Sequence, residues 1–155
     1  MRRADMGAAV CRHPRVRGFT LVEVLVVMAI VALLATFAWP SFQAQWLRSR
    51  RADAQLALMQ LQHLQARWRA DHPGYASATE LGAPASSPQG HYRLAVQEPS
   101  AVGYLLLAEA QAGQRADTAC AVLALRLEQA HTAMVSRTAA GAENTDAANR
   151  RCWGR

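Results

Sequence analysis

The sequence has no lysine and only three cysteines. All 17 basic residues are arginines, and 11 acidic residues oppose them, which gives a net charge of +6. Three cysteines in 155 residues are too few for a small disulfide-rich scaffold, which needs several bridges in place of a core. Hydrophobic residues make up 52% of the chain and charged residues only 18%, a composition that argues against intrinsic disorder.

Catalytic and metal-binding motifs are missing as well. The sequence contains no nucleophile elbow, no phosphate-binding glycine loop and no pair of carboxylates in an active-site pattern. The five histidines are scattered without the short spacing that metal ligands show. We therefore expect no enzyme activity, no cofactor and no metal site.

The positive charge is concentrated at the start of the chain. Residues 1–18 hold five arginines against Asp5, a net charge of +4, so residues 19–155 carry only +2. A charge spread over the whole fold would suggest a nucleic-acid or anionic-membrane partner. A basic leader in front of an apolar segment indicates a targeting sequence instead.

The leader is followed by 21 residues, Phe19–Trp39, in which Glu23 is the one charged residue. As a helix this segment would measure about 30 Å, the thickness of the hydrocarbon core of a bilayer. A secretory signal cut near residues 36–38 and an uncut membrane anchor are two interpretations. Neither explains the carboxylate of Glu23, because a charge in lipid costs about 2.5–3.5 kcal/mol and is usually functional.

The stretch Gly18-Phe19-Thr20-Leu21-Val22-Glu23 resembles the class III signal of type IV pilins and the related pseudopilins. In that family a cytoplasmic-side membrane enzyme, the prepilin peptidase, cuts after the glycine and methylates the new N-terminal residue. The resemblance implies cleavage between Gly18 and Phe19, with N-methylation of Phe19. It also implies that other pilin subunits and an inner-membrane assembly platform are partners.

The same resemblance places Glu23 at the family's acidic fifth mature position. In hydrocarbon the carboxylate and the new N-terminal cation are each costly alone and tolerable as a pair. A helix cannot easily fold Glu23 back onto its own N-terminus, so we expect a neighbouring subunit to supply the cation during assembly. The alternative is that Glu23 is simply protonated in lipid.

Localisation follows from the arginine-rich leader. The positive-inside bias predicts an N-terminus in the cytoplasm and a C-terminal domain in the periplasm while the chain resides in the inner membrane. After assembly the resemblance places the subunit in an extracellular pilus.

Residues 19–72 predict one long helix that Pro40 kinks and Pro73-Gly74 ends. After removal of the leader 1–18, the first half, 19–39, would span the membrane and drive polymerisation. The second half, 40–72, is amphipathic and carries a single apolar stripe formed by Leu47, Ala54, Leu58, Leu61 and Trp68.

Residues 73–155 predict a globular domain, which makes the fold α+β and pilin-like. A loop at 73–90, with a short helical turn near 78–81, precedes four segments of strand-like pattern. Their short connections favour an antiparallel four-stranded sheet packed on the helix. The predicted strands are 91–97, 103–111, 119–128 and 131–137.

Cys120 and Cys152 remain after the leader, with Cys11, is removed. In an oxidising periplasm we expect them to form a disulfide that holds the tail 139–155 against the third strand. A reactive or metal-binding pair of thiols is the alternative. The two cysteines and the terminal Trp153 resemble the pattern of PilE-type pilins, in which they bound a surface-exposed D-region. The stretch 128–131 lacks the glycine common in that pattern, so its turn is expected to differ.

These features together predict a structural, minor subunit of a type IV pilus that serves adhesion, twitching motility or DNA uptake. The alternatives are a pseudopilin of a type II secretion system and a monomeric membrane-anchored binding protein. The arginines at 48–69 are interpreted as a solvated or intersubunit face, with Asp53 and Asp71 as ion-pair partners. DNA binding has weak support from Arg150, Arg151 and Arg155 beside Trp153.

The processing site predicts a defined mature N-terminus. In protein purified from its own cell envelope, mass spectrometry should find an N-terminal peptide that begins with N-methyl-Phe19. A terminus at Trp39 would indicate a secreted soluble protein, and a retained Met1 would indicate an uncut anchor. Either result would contradict maturation by a prepilin peptidase.

Overall fold

The computed structural model describes residues 19–154, and the chain divides into two compact units between Trp39 and Pro40. A single helix, α1, runs over Leu21–Asp71, as the apolar periodicity predicted. It is the one helix among the described residues that is long and apolar enough to cross a membrane. Gly18 and the rest of the leader lie outside the described residues.

Four antiparallel strands form a sheet in the order β1-β2-β3-β4. Their register pairs Leu94 with Ala108, Leu106 with Leu125, and Leu125 with Met134. The predicted α+β architecture and the existence of all four strands are confirmed. The strands are β1 (Tyr92–Gln97), β2 (Gly103–Ala110), β3 (Val122–Glu128) and β4 (His131–Arg137).

The core lies between the sheet and the second half of α1. Ala54, Leu58 and Leu61 are fully buried there, as the predicted stripe requires, whereas Leu47 and Trp68 at the stripe's two ends are only partly buried. The strands contribute residues that alternate toward this face, so helix and sheet share one apolar cluster. Its largest fully buried members from the strands are Tyr92, Leu106 and Leu123.

Strand β2 is the most buried of the four because both of its faces are covered. Leu106 and Ala108 face α1, while Leu105 and Leu107 join Ala124 in a second small cluster on the opposite face of the sheet. Gly103 begins the strand where a Cβ atom would collide with the carbonyl oxygen of Leu127. The near-continuous apolar sequence of β2 is therefore that of a central strand.

Three details differ from the expectations. The stretch 112–120, predicted as a connection followed by the start of the third strand at residue 119, forms two 3₁₀ segments, Ala112–Ala116 and Thr118–Cys120, so β3 begins at Val122. The tail contains a short helix, α2 (Asp146–Cys152), with Thr145 as its N-cap. The sequence indicates no element in this tail, because a seven-residue helix leaves too little periodicity to detect.

The turn between β3 and β4 is a two-residue hairpin loop without glycine. Glu128 pairs with His131, and both loop residues lie in the left-handed region, Gln129 at φ 47° and Ala130 at φ 67°. Positive φ at both positions is the type I′ geometry that matches the twist of a hairpin. Residues with a Cβ atom are strained there by roughly 1–2 kcal/mol each.

Replacing Ala130 with glycine should therefore stabilise the domain. After the entropic cost of glycine, we expect a gain of about 0.5–1 kcal/mol, seen as a rise of about 2–4 °C in melting temperature by intrinsic-fluorescence scanning of the full chain in detergent. Ala101→Gly is the matched control, since Ala101 is exposed and outside the left-handed region. Equal behaviour of the two variants would contradict strain at Ala130.

Candidate functional site

The N-terminal motif forms the first turn of α1. Phe19 is exposed, and the Thr20 hydroxyl accepts a hydrogen bond of 3.2 Å from the backbone N–H of Glu23. Thr20-Leu21-Val22-Glu23 therefore has the sequence and half of the contacts of a capping box. Glu23 also lies where a negative charge favours the helix dipole. Sequence reasoning missed this role in starting the helix, although the T-x-x-E spacing is the signature of a capping box.

Within the part of the chain that the structure describes, the Glu23 carboxylate has no ion-pair partner. Its neighbours on α1 are apolar, and every large apolar side chain from Leu21 to Trp39 is more than half exposed. The roles predicted for Gly18, Phe19 and Glu23 in processing and assembly remain predictions.

A disulfide joins Cys120, at the end of the second 3₁₀ segment, to Cys152, at the end of α2. The two Cα atoms are 5.6 Å apart, and both residues are buried. No group of three or more potential metal ligands occurs among residues 19–154. The disulfide closes the D-region, here residues 120–152, beside the core.

Polar side chains of α1 hold this region as well. The Arg51 guanidinium donates two hydrogen bonds to the Asp117 carboxylate, at 2.6 and 2.8 Å, and a third of 3.1 Å to the backbone carbonyl of Arg151. The Gln114 amide donates to the Leu47 carbonyl at 3.1 Å. These contacts attach the 3₁₀ segments and the end of α2 to the helix.

Asp53 and Asp71 were expected to pair with the helix arginines, in the same subunit or the next. Within residues 19–154 neither of them forms an ion pair with an arginine, and Asp53 instead accepts hydrogen bonds from the Ser87 hydroxyl at 2.5 Å and from the backbone N–H of Gln89 at 3.1 Å. The partner of Arg51 is Asp117, 66 residues away in sequence. Sequence reasoning missed Asp117 because no local pattern links residues at that separation.

Several arginines lie around the end of the domain where α1 enters it; all are exposed except Arg50, which is half-buried and stacks over the Trp46 ring at 5.2 Å. The elements that carry them meet there, since Gly113 is next to the Arg50 guanidinium and Arg51 reaches the Arg151 carbonyl. Among residues 19–154, none of these arginines forms an ion pair within 4.0 Å. We call the set the basic cluster: Arg48, Arg50, Arg115, Arg150 and Arg151.

The aromatic residue expected beside these arginines is not available to a ligand. Trp153 is only 8% exposed, and its indole N–H donates a hydrogen bond of 3.2 Å to the carbonyl of Val135. Trp153 therefore offers no exposed ring beside Arg150 and Arg151. Arg155 lies outside the described residues.

Tyr92 lies in the core beside this polar region. Burial, reinforced by the nearby Asp117 carboxylate, raises the pKa of Tyr92 to about 12. Its hydroxyl and the Gln114 side-chain oxygen are buried without a hydrogen bond of normal geometry to any described residue. The folded domain therefore needs the neutral phenol.

Comparison with known proteins places these features in a family. The family model described as "Type IV minor pilin ComP, DNA uptake sequence receptor" matches residues 40–124, just over half of the chain. The model described as "Prokaryotic N-terminal methylation motif" matches residues 13–39. A curated relative, the type IV major pilin protein PilA of Myxococcus xanthus (strain DK1622), is 36% identical over 84 residues, which cover 53% of this chain and 38% of the relative.

A long N-terminal helix on a four-stranded antiparallel sheet, with a methylation motif at its start, defines a type IV pilin. The chain belongs to the type IV minor pilin ComP family. The match spans less than two fifths of the length of the Myxococcus relative.

The raised pKa of Tyr92 predicts a loss of stability in alkaline solution. An unfolded tyrosine titrates near pH 10, so the stabilisation is complete below pH 10 and is lost as the pH rises to about 12. The melting temperature should fall across that range for the wild type and fall much less for Tyr92→Phe. Tyr75→Phe, a partly buried control, should behave like the wild type, and an identical fall in Tyr92→Phe would contradict the assignment.

Proposed function

We propose that this chain is a minor subunit of a type IV pilus that captures DNA for uptake. Three features support the proposal: membership of a family described by its DNA-uptake receptor, the methylation motif at the N-terminus, and the basic cluster. The basic cluster carries the most weight, because it is a property of this chain's own surface.

Maturation and assembly follow the family pattern in this proposal. The prepilin peptidase cuts between Gly18 and Phe19 and methylates Phe19, while residues 19–39 hold the subunit in the inner membrane with its N-terminus in the cytoplasm. The exposed apolar side chains of that segment then exchange lipid for neighbouring pilin helices. Glu23 pairs with the N-terminal cation of a neighbouring subunit and fixes the register.

DNA would bind through its phosphates. Arginine guanidinium groups suit phosphate oxygens, and such contacts provide affinity without sequence information. The arginines of β1 and β3 are engaged by acids, since Arg93 pairs with Glu109 and Arg126 with Glu143. Among residues 19–154, the basic cluster is therefore the group of arginines on the D-region side that has no acidic partner within 4.0 Å. Five phosphate contacts would give a salt slope of about −4 to −5.

A double substitution tests this assignment. Arg115→Gln with Arg150→Gln should weaken binding of the full chain in neutral detergent to a fluorescent DNA duplex by about tenfold, and reduce the salt slope by about 2, because two phosphate contacts are lost. Fluorescence anisotropy over a salt series measures both quantities.

The matched control removes two positive charges from a part of α1 outside the basic cluster. Arg67→Gln with Arg69→Gln lies on the last turns of α1, about 25 Å along the helix from Arg50. The control should change affinity little. Equal weakening by the two pairs would mean that net charge alone governs binding, and no binding by the wild type would contradict the role in DNA capture.

A further inference from the structure

The basic cluster is carried by short elements outside the sheet. Arg115 lies in a five-residue 3₁₀ segment, and Arg150 and Arg151 lie in the seven-residue helix α2. Helices this short are not stable by themselves, so tertiary contacts must fix their position. The spacing of these arginines, and hence their match to successive phosphates, depends on whatever joins the two elements.

Arg51 contacts both elements at once. Its Nε and Nη2 atoms donate to the two oxygens of Asp117, two residues beyond Arg115, and its Nη1 donates to the carbonyl of Arg151 itself. The Arg51 side chain is only 12% exposed and the Asp117 side chain 5%, so the ion pair is shielded from solvent. Arg51 therefore uses three of its five N–H donors within the protein, and because its side chain is largely buried it is poorly placed to contact DNA.

The disulfide and the side chains of Gln55 and Gln114 each fail to join all three parts, namely α1, the 3₁₀ segments and α2. The disulfide joins Cys120 to Cys152 but neither of them to α1, and Gln55 holds only the carbonyl of Trp153, at 3.3 Å. Gln114 links the 3₁₀ segment to α1 without touching α2. A planar guanidinium can bridge a carboxylate and a carbonyl in fixed directions, which an ammonium group cannot do.

We propose that Arg51 is a positioning residue for DNA binding, which sets the distance between Arg115 and the arginines of α2 by bridging Asp117 and the Arg151 carbonyl. This inference rests on the proposed function and adds to it a residue that acts without touching the ligand. Substituting Arg51 or Asp117 should misplace the two sets of arginines while leaving all of the basic cluster present.

Two variants separate positioning from charge. Arg51→Lys keeps the net charge, so a purely electrostatic surface would bind DNA as before. Asp117→Asn removes a negative charge, so a purely electrostatic surface would bind more tightly. If Arg51 positions the cluster, both variants should weaken binding to the labelled duplex by about fivefold or more and lower the salt slope by about 1.

A variant at the other end of the domain serves as the control for a general loss of stability. Gln65 makes two hydrogen bonds with the backbone of Ala76, at 2.7 and 3.0 Å, so Gln65→Leu should lower the melting temperature without touching the basic cluster. DNA affinity should be unchanged in Gln65→Leu. Weakened binding in that variant to the same extent would overturn a specific positioning role.

Hydrogen exchange of the full chain in detergent gives a readout that does not depend on DNA. Arg51→Lys should speed exchange in residues 112–120 and 146–153 and leave the strands unchanged, because the disulfide and Gln55 still hold the domain together. Unchanged exchange, or unchanged DNA affinity in both variants, would overturn the inference. If the wild type itself fails to bind DNA, the proposed function falls, and exchange still decides whether Arg51 holds the two elements.

Discussion

The exposed apolar half of α1 is the constraint on which the rest of the molecule depends. From Leu21 to Trp39 the helix has no cover within the part of the chain that the structure describes. Such a surface is stable in lipid or against other apolar helices, and unstable in water. The chain must therefore leave the membrane only into an assembly that buries the same residues, as expected of a pilin.

The second half of α1 has a different role, which is to pack against the sheet and to hold the loop segments. One stripe buries apolar residues against the sheet, while polar residues on the same stretch attach segments that have little structure of their own. Asp53 accepts from Ser87 and Gln89, Gln65 binds Ala76, and Arg51 binds Asp117. These buried polar groups are paired, as their burial requires. The helix thus serves as the frame for the loops as well as for the core.

The sequence predicts best what depends on periodic, local patterns. The first half of α1 follows from an unbroken apolar run and the second half from a 3.6-residue repeat, and β1, β2 and β4 agree with their predicted bounds to within a residue. The 3₁₀ segments and α2 were missed because elements of five, three and seven residues have no repeat to detect. The burial of Trp153 and the pairing of Arg51 with Asp117 arise from long-range contacts that no local pattern encodes.

Incorporation of a Glu23→Gln variant into sheared pili tests most directly whether the apolar half-helix is an assembly surface. The measurement compares subunit content in fibres and in membranes, with Glu98→Gln, an exposed carboxylate on the β1–β2 loop, as the matched control. We expect Glu23→Gln to accumulate in membranes and to be depleted from fibres, while Glu98→Gln assembles normally. Fibres with undiminished Glu23→Gln content would contradict a register set by Glu23, and absence of the wild-type chain from fibres would contradict the pilus subunit itself.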